Sequence, residues 1–217
     1  MNRRLFTLGL MAASSSALTA CAPLLVGGAV VGGTLAATDR RTVGMQVEDQ
    51  RITLAGADTL RKTFGDRVNV NVHAYNRRVL LTGQVPDAAT RANVERAIAT
   101  VPNVAGIVNE IEVSGQISLT SRSNDVLLAT RVKAALIEAK DLFANAYRVT
   151  AENGIVYMMG RVTEREGNRA AELASRISGV RKVVKVFETI SEQELQRLMQ
   201  QQSPGTDNKE QVRDGMH

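Results

Sequence analysis

The chain has 217 residues, 27 Lys and Arg against 22 Asp and Glu, a net charge of +5, no Trp, 3% aromatics and a single cysteine, Cys21. One cysteine excludes an internal disulfide, so the fold must rest on burial. So few aromatics leave little material for stacking bases, and the mild basic bias suits an anionic lipid surface without demanding nucleic acid.

The N-terminus carries Arg3 and Arg4, then an apolar run from Leu5 to Ala13, then small residues ending in Leu18-Thr19-Ala20-Cys21. Charge, apolar run and small-residue cleavage site, in that order, predict a secretory signal peptide over residues 1–20. Leu18-Thr19-Ala20 with the Cys21 that follows the cut resembles the lipobox of bacterial lipoproteins. That resemblance implies a diacylglycerol on the Cys21 thiol and, after cleavage, an acyl chain such as palmitate on its amine. At about 0.8 kcal/mol per buried methylene, two or three chains hold a protein on a membrane almost permanently. Ala22 stands where an aspartate would imply retention in the inner membrane, so the resemblance implies a lipid anchor on the periplasmic face of the outer membrane. Residues 21–45 then read as the lipidated cysteine and a Gly/Ala-rich tether. Ala22 to Ala37 is apolar but only 16 residues long, with Pro23 and four glycines, short of the roughly 20 residues of a spanning helix.

The body is a tandem repeat. Asn76, Val79, Gly83 and Val85 recur 77 residues later as Asn153, Val156, Gly160 and Val162. Val94, Ala97, Ile98 and Val101 recur at an offset of 76 as Ala170, Leu173, Ala174 and Ile177, each set on one helical face. Val104, Ile107, Val108 and Ile111 recur at the same offset as Val180, Val183, Val184 and Phe187. Each copy predicts helix, strand, strand, helix, strand. In the first (residues 46–115), Ile52, Gly56 and Leu60 mark a modest helix, and a turn at Asn76-Arg77-Arg78 joins two alternating strands. In the second (residues 121–190), Asn124 or Asp125 is placed to cap a helix whose Leu128, Val132, Ala135 and Leu136 share a face, and Asn153-Gly154 predicts a tight hairpin turn. Gly83 and Gly160 fall in mid-strand, which predicts a closely packed helix or a bulge. The tail, 191–217, reads as polar and disordered beyond a short helix near Glu192 to Leu198.

Strand, Asn-Gly turn, Val156 to Val162, amphipathic helix and Gly179-Val180-Arg181-Lys182-Val183 together resemble the BON domain. With the lipobox and tether, the two copies resemble the dual-BON outer-membrane lipoproteins, Val162-Thr163-Glu164-Arg165-Glu166 and Thr130-Arg131-Val132 being particularly similar. The implied fold class is α+β, as two tandem small modules. The implied function is non-catalytic: binding anionic phospholipids (cardiolipin, phosphatidylglycerol), concentrating at division sites and supporting envelope integrity, with a link to the outer-membrane protein assembly machinery. The alternative is a scaffold that contacts envelope proteins without reading headgroups. Independently, the sequence carries no HExxH, paired cysteines, phosphate loop or nucleophile elbow, so no cofactor, metal or enzymatic activity is expected. His73 and His217 are the only histidines. His73 alternates out of phase with Val70, Val72 and Ala74, which predicts an exposed position.

Helical geometry narrows the lipid surface. At about 100° per residue, Leu127 points well away from the Leu128–Val132–Ala135 stripe, Arg131 lies one turn on, and Lys133 lies on a more distant flank. An exposed leucine beside cations is the composition of an interfacial helix. The resemblance implies that this helix of the second module contacts lipid, with leucine here in place of a tryptophan. Arg181, Lys182 and Lys185 form a second basic group that reads equally well as a solvated edge.

Overall fold

The computed structural model describes residues 39–114 and 119–202, so Cys21 and its surroundings lie outside the described residues. Helix α1 (Val43–Phe64) starts where Thr42 Oγ1 accepts from the Met45 amide and ends at Gly65, whose φ of 59° is costly for other residues. Strands β1 (Asn69–Tyr75) and β2 (Arg78–Val85) pair antiparallel. Asn76 and Arg77, at φ of 50° and 65°, form the two-residue turn whose twist matches paired strands. Helix α2 (Ala88–Ala99), capped by Asp87, leads to β3 (Gly106–Asn109) and β4 (Glu112–Val113), both parallel to β2.

The second copy repeats this order: α3 (Leu119–Glu138), a 3-10 turn (Ala144–Ala146), β5 (Tyr147–Glu152), β6 (Ile155–Val162), α4 (Glu164–Ser175) and β7 (Lys182–Thr189). Thr163 and Glu166 form a reciprocal capping box at the start of α4. The one-residue change of offset has a visible origin. Pro86 stands between β2 and the capping Asp87, whereas Thr163 follows Val162 directly. A last helix, α5 (Glu192–Gln202), buries Leu195 and pairs Glu194 with Arg161. It extends beyond the short helix expected, and residues 203–217 lie outside the described residues.

Each module has its own core between helices and sheet: Ile52, Leu60, Val79, Leu81, Val94 and Ile98 in the first, Leu128, Val132, Leu136, Val156, Met158 and Ala174 in the second. The opposite sheet faces pack against each other through Tyr75, Leu80, Tyr157, Met159 and Val186. Polar bonds frame this seam: Glu152 accepts from Asn71 Nδ2 at 3.1 Å and Gln84 Nε2 at 2.9 Å, and Tyr75 donates to the Ala146 carbonyl at 3.2 Å.

Several expectations change. Helix α1 begins at Val43, inside the stretch assigned to the tether, and Asp39 to Arg41 are fixed to the fold. Like Asn124, Asp125 is no cap, because α3 already starts at Leu119. Its carboxylate instead accepts from the Asn153 and Gly154 amides at 2.7 and 2.8 Å, and Asp49 accepts from Asn76 and Arg77 at the same two distances. Gly83 and Gly160 do not make room for a helix. A Cβ on Gly83 would stand 2.0 Å from the Asn69 carbonyl oxygen of the paired strand, and one on Gly160 2.6 Å from that of Ala146, the residue that leads into its paired strand, so the close neighbour is backbone in both. The glycines that let a helix approach are Gly56, against Val72, and Gly167, against Phe187.

Candidate functional site: the outer face of helix α3

The stripe Leu128, Val132 and Leu136 holds α3 on its sheet, with each side chain almost fully buried. The 3.6-residue period then turns Val126, Leu127 and Ile137 outward, between 59% and 67% exposed. Thr130 and Ala134 lie between them and are also exposed. Of these three, only Leu127 was expected from the sequence. Val126 and Ile137 were equally available from the 100° step, since both fall opposite Val132. Phe143, after the helix, adds another exposed ring.

The cations divide. Arg131 is exposed and donates from Nη1 to the Ser178 carbonyl at 3.2 Å, which sets it on the turn that also carries Arg181. Arg181 is exposed as well, its Nη1 on the Asn153 carbonyl at 3.2 Å. One arginine from each of the two basic groups read from sequence, Arg131 and Arg181, is thus brought to the same loop, beside the N-terminal half of the α3 face. Lys185 instead reaches Asn168 Oδ1.

Lys133 does not join them. Its ammonium donates to the Ala144 and Tyr147 carbonyls, and burial pushes it below its ordinary pKa against the opposing pull of Asp39. It ties α3 to the 3-10 turn and β5. The partners come from residues 11 and 14 positions away, in the 3-10 turn and at the start of β5, which no helical wheel displays.

His73 also departs from expectation. It faces the seam between the sheets, where its Nε2 is buried without a protein partner. Burial, with the Arg148 charge, pushes its pKa down to about 4. Among the described residues no three His, Cys, Asp or Glu side chains gather into a metal site, and no helix is long and apolar enough to cross a membrane.

The BON domain family matches residues 48–115 and 124–190, the two copies just described. The chain belongs to the dual BON-domain family. It is 37% identical over 172 residues to the outer membrane lipoprotein DolP of Haemophilus influenzae, covering 78% of this chain and 89% of that protein. It is 32% identical over 151 residues to a 21 kDa hemolysin of Actinobacillus pleuropneumoniae, covering 69% and 78%. Among solved structures, CdsD, a structural protein of the type III secretion system of Chlamydia trachomatis, aligns with 74% of this chain and 99% of its own at 11% identity and a TM-score of 0.28. A likeness that low carries no argument. The two BON modules of this chain are therefore defined by its own repeat and by the family match.

Proposed function

We propose that the protein is a lipoprotein of the outer membrane whose periplasmic body binds anionic phospholipids through α3 of its second BON module and supports envelope integrity at division sites. The observation that carries this reading is the exposed face of Val126, Leu127 and Ile137 with Arg131 and Arg181 at its border. Apolar side chains enter the headgroup boundary while the guanidinium groups stay with phosphates. Similarity to DolP supports the location, and the lipobox at Cys21 supports the anchor.

Two measurements test it. Cys21→Ser abolishes incorporation of a palmitate analogue; undiminished labelling of the serine variant overturns the anchor. For the lipid surface, the body without residues 1–21 floats with vesicles containing cardiolipin or phosphatidylglycerol. Each surface cation contributes about 1 kcal/mol near an anionic leaflet and a buried leucine about 1.5–3 kcal/mol, so Leu127→Glu with Arg131→Glu lowers binding about tenfold or more. Both side chains are exposed, so the fold is retained. Unchanged flotation of a normally folded double variant places the lipid surface elsewhere, and a parent body that ignores both lipids favours the scaffold.

A further inference from the structure

Helix α1 carries a second apolar face that the α3 reading does not use. Val43, Val47 and Leu54 are between 58% and 72% exposed. At about 100° per residue they fall within about 40° of one another, a row roughly 17 Å long in which the uncharged Gln50 is the intervening exposed residue. Scattered surface apolar residues need no account, but an aligned row at the head of a helix does. The stripe is electrically quiet. Arg51 pairs with Glu48, and Arg61 and Lys62 both pair with Asp58, all within the helix.

The start of this helix is fixed to the point where the chain enters the fold. Arg40 forms a two-pronged pair with Glu166 at 2.7 Å, Arg41 donates to Asp49 at 2.8 Å, and Thr42 caps α1. Val43 is thus held three residues beyond a rigid attachment. Cys21 stands 19 residues before Arg40, a span that reaches at most roughly 65 Å even when fully extended. A bilayer holding Cys21 therefore meets this surface at an effective concentration on the order of millimolar. A contact too weak to hold the free body suffices under those conditions.

We propose that in the lipid-anchored chain the Val43–Val47–Leu54 stripe rests on the bilayer that carries the anchor, by apolar contact that reads no headgroup charge. This rests on acylation of Cys21 and is separate from the α3 surface, which needs anionic lipid. The occupant is the membrane because the stripe starts where the anchored segment joins the fold and carries no unpaired charge that would select an ionic partner.

The test uses the full lipidated chain in phosphatidylcholine vesicles at high salt, with acylation of Cys21 verified by mass. Acylation blocks the natural thiol, so Val47→Cys or Leu54→Cys supplies one free site for a nitroxide. Ala92→Cys, exposed on α2, is the control. Nitroxides at 47 and 54 gain access to oxygen and lose access to a water-soluble nickel complex, whereas the label at 92 and all three labels in the soluble body stay nickel-accessible. Adding Val47→Glu and Leu54→Glu to a chain labelled at Val43→Cys restores nickel access without loss of helical circular dichroism. The proposal is overturned if the labels at 47 and 54 stay nickel-accessible in vesicles. It is equally overturned if they are protected in the soluble body, which would indicate a second copy, or only with anionic lipid at low salt. A chain found unacylated at Cys21 overturns the anchor itself and this contact with it.

Discussion

His73 shows what a single side chain costs when most of its ring is buried between two sheets. Its ring lies on the β1 face that meets the second module, with the Arg148 charge nearby and no protein partner at Nε2. Burial and that charge hold the folded-state pKa at about 4, against an unfolded value of 6.5. Above pH 6.5 both states are neutral and the site is silent. Between 6.5 and 4 the unfolded chain takes up a proton that the folded chain refuses, so stability falls as pH falls. Below 4 both states bind the proton and the loss levels off. The full effect is about 3 kcal/mol as an order of magnitude. Urea unfolding at pH 7, 5 and 4 should show this decline, and His73→Gln should flatten it. A variant that declines as steeply as the parent would assign the effect to other groups. The alternation along β1 places His73 correctly on the side away from its own helix, but that side is only exposed if nothing covers it.

At the scale of elements, the repeated device is a helix aspartate that holds a hairpin turn. Asp49 and Asp125 each satisfy two backbone amides of the turn formed by their own module's first two strands. These turns need positive φ at both central positions. Asn153-Gly154 meets that need readily, whereas Asn76-Arg77 puts an arginine at φ 65°, a conformation disfavoured for side chains with a Cβ. Removing either carboxylate leaves two amides to find other partners, at a cost of about 2–3 kcal/mol for Asp125→Ala. Asp49→Ala should cost more, because Asp49 also pairs with Arg41 at 2.8 Å. Chemical denaturation of the two variants gives the order directly, and a smaller loss for Asp49→Ala would contradict it. The element order of both modules was legible because apolar positions alternate along β1 and β5 and repeat by turns along α3. The clamps were not, since each joins residues 27 to 29 positions apart and a buried aspartate near a helix start looks like a cap. Leu127 was legible because exposure on a helix is a local property. Lys133 was misread because its partners lie off the helix.

Across the whole body, two sheets share a seam, and one short segment ties both modules to it. The sequence carried half of this. Val79-Leu80-Leu81 and Val156-Tyr157-Met158-Met159 are unbroken apolar runs, the signature of strands buried on both faces, yet nothing local says that each is the other's cover. The tie was hidden, because Asp39-Arg40-Arg41 reads as the polar end of a tether. In the fold, Arg41 pairs with Asp39 and Asp49 and lies 4.1 Å over the Tyr75 ring of the first module. Arg40 is buried against Glu166 of the second module and also donates to the Arg161 carbonyl. Burial alone would raise the Glu166 pKa, but Arg40 and the Thr163 amide outweigh it and hold the carboxyl below its ordinary range. Removing one partner of such a pair strands the other without compensation, at a cost of about 3–5 kcal/mol. Arg40→Ala should therefore lower stability by about that much, even though it sits at the edge of the folded body. Glu166→Gln in that background should cost far less than it does alone, because the charge it removes is already unpaired. Equal costs for Glu166→Gln with and without Arg40 would mean that the two side chains act independently and that the segment does not tie the modules together.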